Sequence, residues 1–332
     1  MLNDLRTALA TFERDKVDFT VSSRDFKMNR GSLLCSKRKS MNISFDFTEH
    51  AFSQLCLKLG MPVRYMRKCF EEDTDLFDTH VNYWLFKAEE SNVLFRTRGN
   101  TIRAILSDKY SILDNIEVFN ALYSVMLDNA VVSPSGKHEK SKILLADRAD
   151  LWDIRVKDFY MNEDYFQIRC VFPKIFYLGK RKKDPCYLGV NILNSETGCK
   201  KVTIEIVIWR QICSNGLIIA EKQEMLFSQR HLYVKKGDLP ILFYDALGLA
   251  VENGNKYLEA FKASKELEYE DDEIKDTVST ILVGQPKEYI ERVRLALEEP
   301  TTFGIINAIT LTAQSLPFER RYEMERLAGS LL

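Results

Sequence analysis

The chain has 332 residues, enough for one large domain or two ordinary ones with a sizeable core. Its 47 basic and 48 acidic residues give a formal net charge of −1, so only a local segregation of charge could attract a polyanion. No apolar run approaches the roughly 20 residues that span a bilayer. The first residues mix acids and bases, unlike a signal peptide, and we therefore expect a cytoplasmic protein.

The cysteines and histidines do not form a recognisable metal or disulfide motif. The seven cysteines are odd in number and lack a CxxC pair, which favours reduced, buried thiols. The four histidines do not fall at metal-ligand spacing with one another. The sequence therefore predicts no metal site and no cofactor.

The N-terminal part reads as helical. We assign residues 1–46 to an N-terminal extension and predict two short helices within 47–70, separated by a stop at Gly60 and a start at Pro62. The first helix has an apolar face made of Phe52, Leu55, Cys56 and Leu59. A third helix over 76–89 should turn inward the side chains of Phe77, Val81, Trp84 and Leu85.

From residue 93 the apolar period changes from helical to two, which predicts strands. Gly99-Asn100 suits a two-residue hairpin loop, because glycine at the first position permits positive φ. In that register Arg98 faces Thr101 and Arg96 faces Arg103. The predicted core face consists of Val93, Phe95, Thr97, Ile102, Ala104 and Leu106.

The three arginines of this hairpin would share its other face. Two directly opposed arginines, Arg96 and Arg103, destabilise a sheet unless an anion neutralises them. A phosphate backbone, acids from elsewhere in the chain, or plain solvation could each do so. We take Arg96, Arg98 and Arg103, with the nearby Lys109, as candidate nucleic-acid contacts.

A second cationic stretch, "GKRKKDP", places four consecutive cations in a loop bounded by glycine and proline: Lys180, Arg181, Lys182 and Lys183. The preceding segment supplies Arg169 and several aromatic residues. Cations interleaved with aromatic rings are what single-stranded nucleic acid requires, for phosphates and for base stacking. The alternative is that the aromatic residues are core and the loop is merely solvated.

The middle of the chain is otherwise strand-rich after a helix over 116–129 and a loop over 133–141. We predict strands at 142–146, 151–157, 164–172, 187–193 and 202–213, and in the last of these one face carries Val202, Ile204, Ile206 and Ile208. Asn215 and Gly216 are predicted as a two-residue hairpin turn, which would place Arg210 opposite Glu221.

After about residue 238 the spacing becomes helical again, with amphipathic helices in "DDEIKDTVSTIL" and "PKEYIERVRLAL" and a buried stripe of Ile305, Ile309, Thr312 and Leu316. We therefore predict an α+β fold. Its core domain covers 47–237, and a helical C-terminal region covers 238–332.

Other functional patterns are weak. The two helices within 47–70 also permit a helix-turn-helix that would present Arg64, Arg67 and Lys68 to a major groove. Walker, dinucleotide-binding, GxSxG and HExxH motifs are lacking. Carboxylates that could bind a metal in a nuclease are not singled out by spacing: Asp108, Asp114, Asp184 and Glu196.

Several segments in order resemble an uncharacterised family of phage- and plasmid-encoded proteins, catalogued as a domain of unknown function. They are "FTEHAFSQLCLKLGMPVRYM", "RTRGNTIRAILSDKYSILDN", "GVNILNSETGCKKVTIEIVIWRQICSNGLI", "QRH" and "FGIINAITLTAQSLPFERRYEMERLAG". The resemblance covers about 47–330 and implies a mobile-element origin in a bacterial host. It brings no catalytic role for the matching residues, which are Arg96, Arg98, Gly99, Arg103, Ser107, Asp108, Tyr110, Asn194, Ser195, Glu196, Gly198, Arg210, Cys213, Asn215 and Gly216.

A helix-flanked strand region with a cationic hairpin is also similar, at fold level, to single-strand annealing recombinases. We therefore expect a nucleic-acid-binding protein without turnover, such as an oligomeric annealing factor for single-stranded DNA, with RNA as a second ligand. The competing interpretation is an interaction protein that self-assembles or binds a host protein. In that case Arg96 and Arg103 would lie within salt-bridge distance of acids. A metal-dependent nuclease is the third class.

Overall fold

The computed structural model describes residues 2–35, 43–127, 154–178, 184–210, 215–219, 227–229 and 236–332. The predicted α+β class is confirmed: a strand-rich central region lies between N-terminal helices and a C-terminal helical region. The strands form two six-stranded sheets. None of the helices in the described ranges is both long and apolar enough to cross a membrane.

The first sheet has the strand order β1-β5-β6-β4-β3-β2, and only β4 and β6 pair in parallel. Residues 1–46, predicted as an extension, contribute helix α1 and most of four strands of this sheet. The bounds are α1 Leu2–Phe12, β1 Lys16–Ser22, β2 Phe26–Asn29, β3 Ser32–Cys35, β4 Ile43–Phe47, β5 Asn92–Arg98 and β6 Thr101–Ser107.

The predicted N-terminal helices cover one face of this sheet. They are α2 Glu49–Lys58, α3 Val63–Glu72 and α4 Thr74–Lys87. Gly60 follows α2 with φ +66°, and Pro62 precedes α3, as predicted. Phe52 of α2 stacks on Phe77 of α4, with ring centroids 5.4 Å apart, and both join a core that includes Phe95. The inward placement of Trp84 was wrong, since this side chain is 46% exposed.

The second sheet is antiparallel in the order β11-β10-β9-β8-β7, and β12 also pairs with β10. Its bounds are β7 Arg155–Met161, β8 Phe166–Tyr177, β9 Pro185–Asn194, β10 Val202–Arg210, β11 Asn215–Ile219 and β12 Phe227–Gln229. The predicted face with Val202, Ile204, Ile206 and Ile208 is confirmed, because all four join the main core. The predicted strand 142–146 and loop 133–141 lie outside the described residues.

One face of the second sheet packs on α6 Leu239–Ala263, and α5 Asn115–Leu127 packs on α6, so that all three contribute to the main core. Gly254 of α6 permits this contact: a Cβ at that position would lie 2.1 Å from Cδ2 of Leu188 on β9. The remaining helices are α7 Asp271–Ile281, α8 Lys287–Leu295, α9 Thr302–Ala313 and α10 Phe318–Gly329. In the predicted stripe of α9, Ile305, Ile309 and Thr312 are buried.

Candidate functional site

The predicted β5–β6 hairpin forms, but a β-bulge changes its register. Gly99 turns with φ +57°, Arg98 pairs with Thr101, and Thr97 pairs with Ile102, as predicted. The register then shifts, so that Arg96 pairs with Ala104 and Arg103 has no partner on β5. The predicted opposition of Arg96 and Arg103 is therefore wrong, because a bulge adds one residue to one strand only.

The bulge also redistributes the apolar residues between the two faces of the hairpin. Val93, Phe95, Ile102 and Ile105 join the core beneath α2–α4, whereas Ala104 and Leu106 pack with Leu94 in a separate cluster on the other face. The prediction that Ala104 and Leu106 share a face with Phe95 was wrong. A one-residue shift sends every later side chain to the opposite face.

Arg96 is completely buried and is neutralised within the chain. Its Nε lies 3.2 Å from Asp18 Oδ2, its Nη2 lies 3.0 Å from the same oxygen, and it also pairs with Asp114. Its Nη1 donates to the carbonyl of Glu196 at 2.9 Å. Burial by itself would lower the pKa of this guanidinium, but Asp114, Asp18 and Glu196 outweigh it and raise the pKa.

Arg103 is 1% exposed and bridges two acids. Its Nε donates to Glu163 Oε2 at 2.7 Å, and its Nη2 donates to Glu196 Oε2 at 2.7 Å. Arg98, which is half-buried, also pairs with Glu163. The ring of Phe12 lies about equally far from both guanidinium carbons, 5.0 Å from that of Arg98 and 5.1 Å from that of Arg103, which is within cation–π range.

Glu196 joins the hairpin to the second sheet. It belongs to the buried turn that follows β9, and its carboxylate accepts from Lys16 Nζ and from the Asn115 backbone N, both at 2.8 Å. Burial tends to raise the pKa of this carboxyl, but Lys16, Arg103 and Arg96 hold it below its ordinary value. We call the set Lys16, Arg96, Arg103, Asp114 and Glu196 the Glu196 cluster.

The predicted nucleic-acid contacts do not form one surface among the described residues. Arg96 and Arg103 are buried in the Glu196 cluster, so their assignment as phosphate contacts is corrected. Arg169 is also buried, and it pairs with Glu325 of α10. Lys109 is exposed. Arg98 is half-buried and pairs with Glu163. The remaining four predicted contacts lie outside the described residues: Lys180, Arg181, Lys182 and Lys183.

Asn215 and Gly216 do not form the turn that their sequence predicted. They belong to β11, where Asn215 pairs with Arg210 and Gly216 pairs with Trp209 of β10. The connection therefore comes earlier, at 211–214, outside the described residues. Arg210 was predicted to face Glu221, but it pairs with Asp184, whose Oδ1 lies 2.5 Å from Arg210 Nε.

Of the three basic residues in the helix-turn-helix interpretation, one is paired within the chain and two are exposed. Arg67 pairs with Glu49 and lies over the ring of Phe52, 4.5 Å from its centroid. Arg64 and Lys68 are exposed. Nζ of Lys68 lies 3.8 Å from Oε2 of Glu72, which is one helical turn further along α3.

Large apolar side chains instead cluster on the exposed side of α3 and α4. The aromatic face, as we call it, consists of Tyr65, Leu76, Tyr83, Trp84 and Phe86, which are 48%, 39%, 53%, 46% and 73% exposed. The rings of Tyr83 and Trp84 meet edge to face at 5.3 Å, and Tyr65 OH lies 3.3 Å from Nε2 of His80. A signal for this face existed in the sequence, because "LFDTHVNYWLF" carries more apolar residues than one buried stripe can hold.

Arg24 fixes the end of the aromatic face. Its guanidinium donates to the carbonyls of Leu85, Phe86 and Ala88 at 2.7–2.8 Å, which satisfies carbonyls left over at the end of α4. It also lies 5.8 Å from the centroid of the Phe86 ring. Lys87 approaches the Tyr83 ring to 5.7 Å. Two of the exposed aromatic rings, those of Phe86 and Tyr83, thus lie beside neighbouring cations.

Three side chains with metal-binding groups meet near the Glu196 turn. One donor atom each of His50, Asp164 and Cys199 lies within 4.8 Å of the others. Burial raises the pKa of the Cys199 thiol to about 11, so the thiol is protonated near neutral pH and is a poor nucleophile. Sequence spacing missed this group, because Cys199 and His50 are 149 residues apart.

Comparison of the chain with protein-family models, with curated proteins and with solved structures found no significant match. The resemblance to phage and plasmid proteins therefore stays a prediction, as does the fold-level similarity to annealing recombinases.

Proposed function

We propose that this chain is a non-enzymatic interaction protein of phage or plasmid origin, acting in the bacterial cytoplasm, that self-assembles through the aromatic face. The observation that carries the proposal is the exposure of four aromatic side chains and Leu76 on adjoining helices. Tyrosine, tryptophan and phenylalanine are enriched in protein interfaces and depleted from open surfaces. Covering them removes apolar area from water, which stabilises the complex by a free energy of about 25 cal/mol per Å².

The charges beside the aromatic face support a second copy of the chain as the occupant. Two exposed cations on α3 are followed by three exposed acids at the end of α3 and the start of α4: Arg64, Lys68, Glu71, Glu72 and Asp75. A two-fold interface brings the same patch of both copies together, so a patch with both signs can complement itself. A polyanion would gain little from a surface with three exposed acids and two exposed cations.

The internal pairing of the hairpin arginines supports the same class of function. Arg96 and Arg103 lie within salt-bridge distance of acids, as the interaction-protein interpretation expects. Their role is structural: they connect β5 and β6 of the first sheet to the turn after β9 of the second.

Self-assembly is tested by measuring the mass of the protein in solution over a range of concentrations. We expect a species larger than the monomer that dissociates on dilution, and a monomer for Trp84→Glu at every concentration. The matched control is Leu295→Glu, since Leu295 is an isolated side chain on α8 and is 87% exposed. A wild-type monomer at the highest soluble concentration would overturn the proposal.

Nucleic-acid binding is the second candidate function, with single-stranded DNA as the preferred ligand. It is favoured by the four consecutive cations 180–183 in the sequence and by the exposed Lys109. Four phosphate contacts would give a slope of log affinity against log salt of about −3, from about −0.7 per phosphate for single strands.

The two candidates are separated by titrating labelled single-stranded DNA and RNA at increasing salt. If the chain binds nucleic acid, its affinity should fall steeply with salt. This dependence should be lost when residues 180–183 are all changed to glutamine and kept in Trp84→Glu. Absence of binding at low salt removes the nucleic-acid candidate without affecting the mass measurement.

A further inference from the structure

We propose that His50, Asp164 and Cys199 form a zinc site with three protein ligands and one position for water. The three residues come from separate parts of the fold: the first turn of α2, the turn between β7 and β8, and the connection between β9 and β10. An imidazole, a carboxylate and a thiolate are the three ligand types that Zn²⁺ takes in proteins.

The spacing of the donor atoms fits one tetrahedral ion. Nδ1 of His50 lies 3.4 Å from Sγ of Cys199. Zinc bonds of about 2.3 Å to sulfur and 2.0–2.1 Å to nitrogen place those two atoms roughly 3.6 Å apart in a tetrahedral site. A donor atom of Asp164 lies within 4.8 Å of both, so a rotation of its short side chain completes the set.

The surroundings orient the histidine for metal binding. Nε2 of His50 lies 3.1 Å from the carbonyl oxygen of Thr197. A carbonyl only accepts, so Nε2 carries the hydrogen and Nδ1 keeps a free lone pair. Both ring nitrogens lie 3.4 Å from Sγ of Cys199. Gln54 Nε2 donates to the same carbonyl at 2.9 Å and holds it in place. A histidine ligand whose other ring nitrogen donates to a carbonyl is the usual arrangement in metal sites.

The other two ligands are positioned by the same turn. The Thr197 hydroxyl donates to Oδ1 of Asp164 at 3.1 Å, and the backbone N of Cys199 donates to Ser195 Oγ at 3.0 Å. Thr197 therefore contacts all three ligand residues: its carbonyl contacts His50, and its hydroxyl contacts Asp164 and, at 3.4 Å, Sγ of Cys199. Cys199 is also only partly buried, whereas the other cysteines among the described residues are buried, so an ion can reach it.

The proposal is tested by titrating the full chain, stripped with a chelator, with Co²⁺ as a spectroscopic substitute for Zn²⁺. We expect one equivalent to bind with a thiolate-to-cobalt charge-transfer band, and Zn²⁺ to displace it. Cys199→Ser and His50→Gln should each abolish the band. Thr197→Val should weaken binding about 10- to 100-fold, because it removes the hydroxyl that orients Asp164.

The matched control is His80→Gln, since His80 lies on α4 beside Tyr65 and away from the site; it should bind Co²⁺ like the wild type. Binding without a charge-transfer band, or binding unchanged in Cys199→Ser, would overturn the proposal. If the ligand variants do not fold, alkylation of the wild type decides. Zn²⁺ should protect Cys199 and no other cysteine, and an unchanged alkylation rate at Cys199 rejects the site.

Discussion

Arg103 and Glu196 form a buried ion pair between the two sheets, with Nη2 and Oε2 2.7 Å apart and both side chains at most 1% exposed. Arg103 lies on β6 of the first sheet, whereas Glu196 follows β9 of the second. Removing one partner of such a pair leaves the other charge buried and unpaired. The position of the first sheet relative to the second therefore depends on this ion pair and the polar contacts around it.

We expect Glu196→Gln to lower the free energy of unfolding by about 3–5 kcal/mol, the usual effect of breaking a buried pair by removing one partner. The amide keeps the shape but removes the carboxylate that Lys16 and Arg103 share, so that Lys16 is left with Glu13 and Arg103 with Glu163. Denaturation in urea measures the change. Glu291→Gln is the control, because its pair with Arg294 is largely exposed and should contribute under about 1 kcal/mol. Equal effects in both variants would contradict a special role for Glu196.

The Glu196 pair should also make the protein sensitive to acid. The pKa of Glu196 is lowered from 4.5 by Lys16, Arg103 and Arg96 despite its burial. A carboxyl whose pKa is lower in the folded than in the unfolded state stabilises the fold at pH values above its unfolded-state pKa. This stabilisation is lost as the pH falls through its folded-state pKa. The difference in unfolding free energy between wild type and Glu196→Gln should therefore be constant near neutrality and shrink below about pH 4.5. A difference that grows on acidification would contradict the assigned sign.

Charge reversal distinguishes a structural arginine from an exposed contact. Arg103→Glu places a third carboxylate beside Glu163 and Glu196, and we expect loss of the cooperative unfolding transition, measured by circular dichroism. Lys109→Glu, two residues beyond the end of β6 at an exposed position, should leave the transition in place. A folded Arg103→Glu protein that only loses nucleic-acid binding would favour the second candidate function instead.

The contact of α6 with β9 should not tolerate a methyl group at Gly254. Its Cβ would lie 2.1 Å from Cδ2 and 2.8 Å from Cγ of Leu188, and Leu188 is buried. Overpacking of this kind costs about 1–3 kcal/mol, so Gly254→Ala should lower the melting temperature. Gly237→Ala is the control, because nothing lies within 4 Å of a Cβ there, and it should leave stability nearly unchanged.

The regular elements of the fold could be predicted from local pattern. The helices α2–α4 and α7–α9, the alternation of β10 and the Gly99 turn follow from side-chain period, caps and glycine, all of which act within a few residues. The bulge after Arg96 could not be predicted, since both registers of the hairpin satisfy the alternation. The place of Asn215 and Gly216 in β11 was missed because this pair is also compatible with a strand when its partners on β10 are available.

The amino-acid sequence by itself determined the α+β class and most element positions, because these depend on the side-chain pattern of near neighbours. The absence of enzyme motifs is likewise visible in the order of residues alone. Only the tertiary structure decided the environment of the arginines. Asp18, Asp114, Glu163 and Glu196 come from four distant segments, and nothing local shows that they converge on Arg96 and Arg103. The same holds for His50, Asp164 and Cys199, which meet only because two sheets and the first turn of α2 enclose one junction.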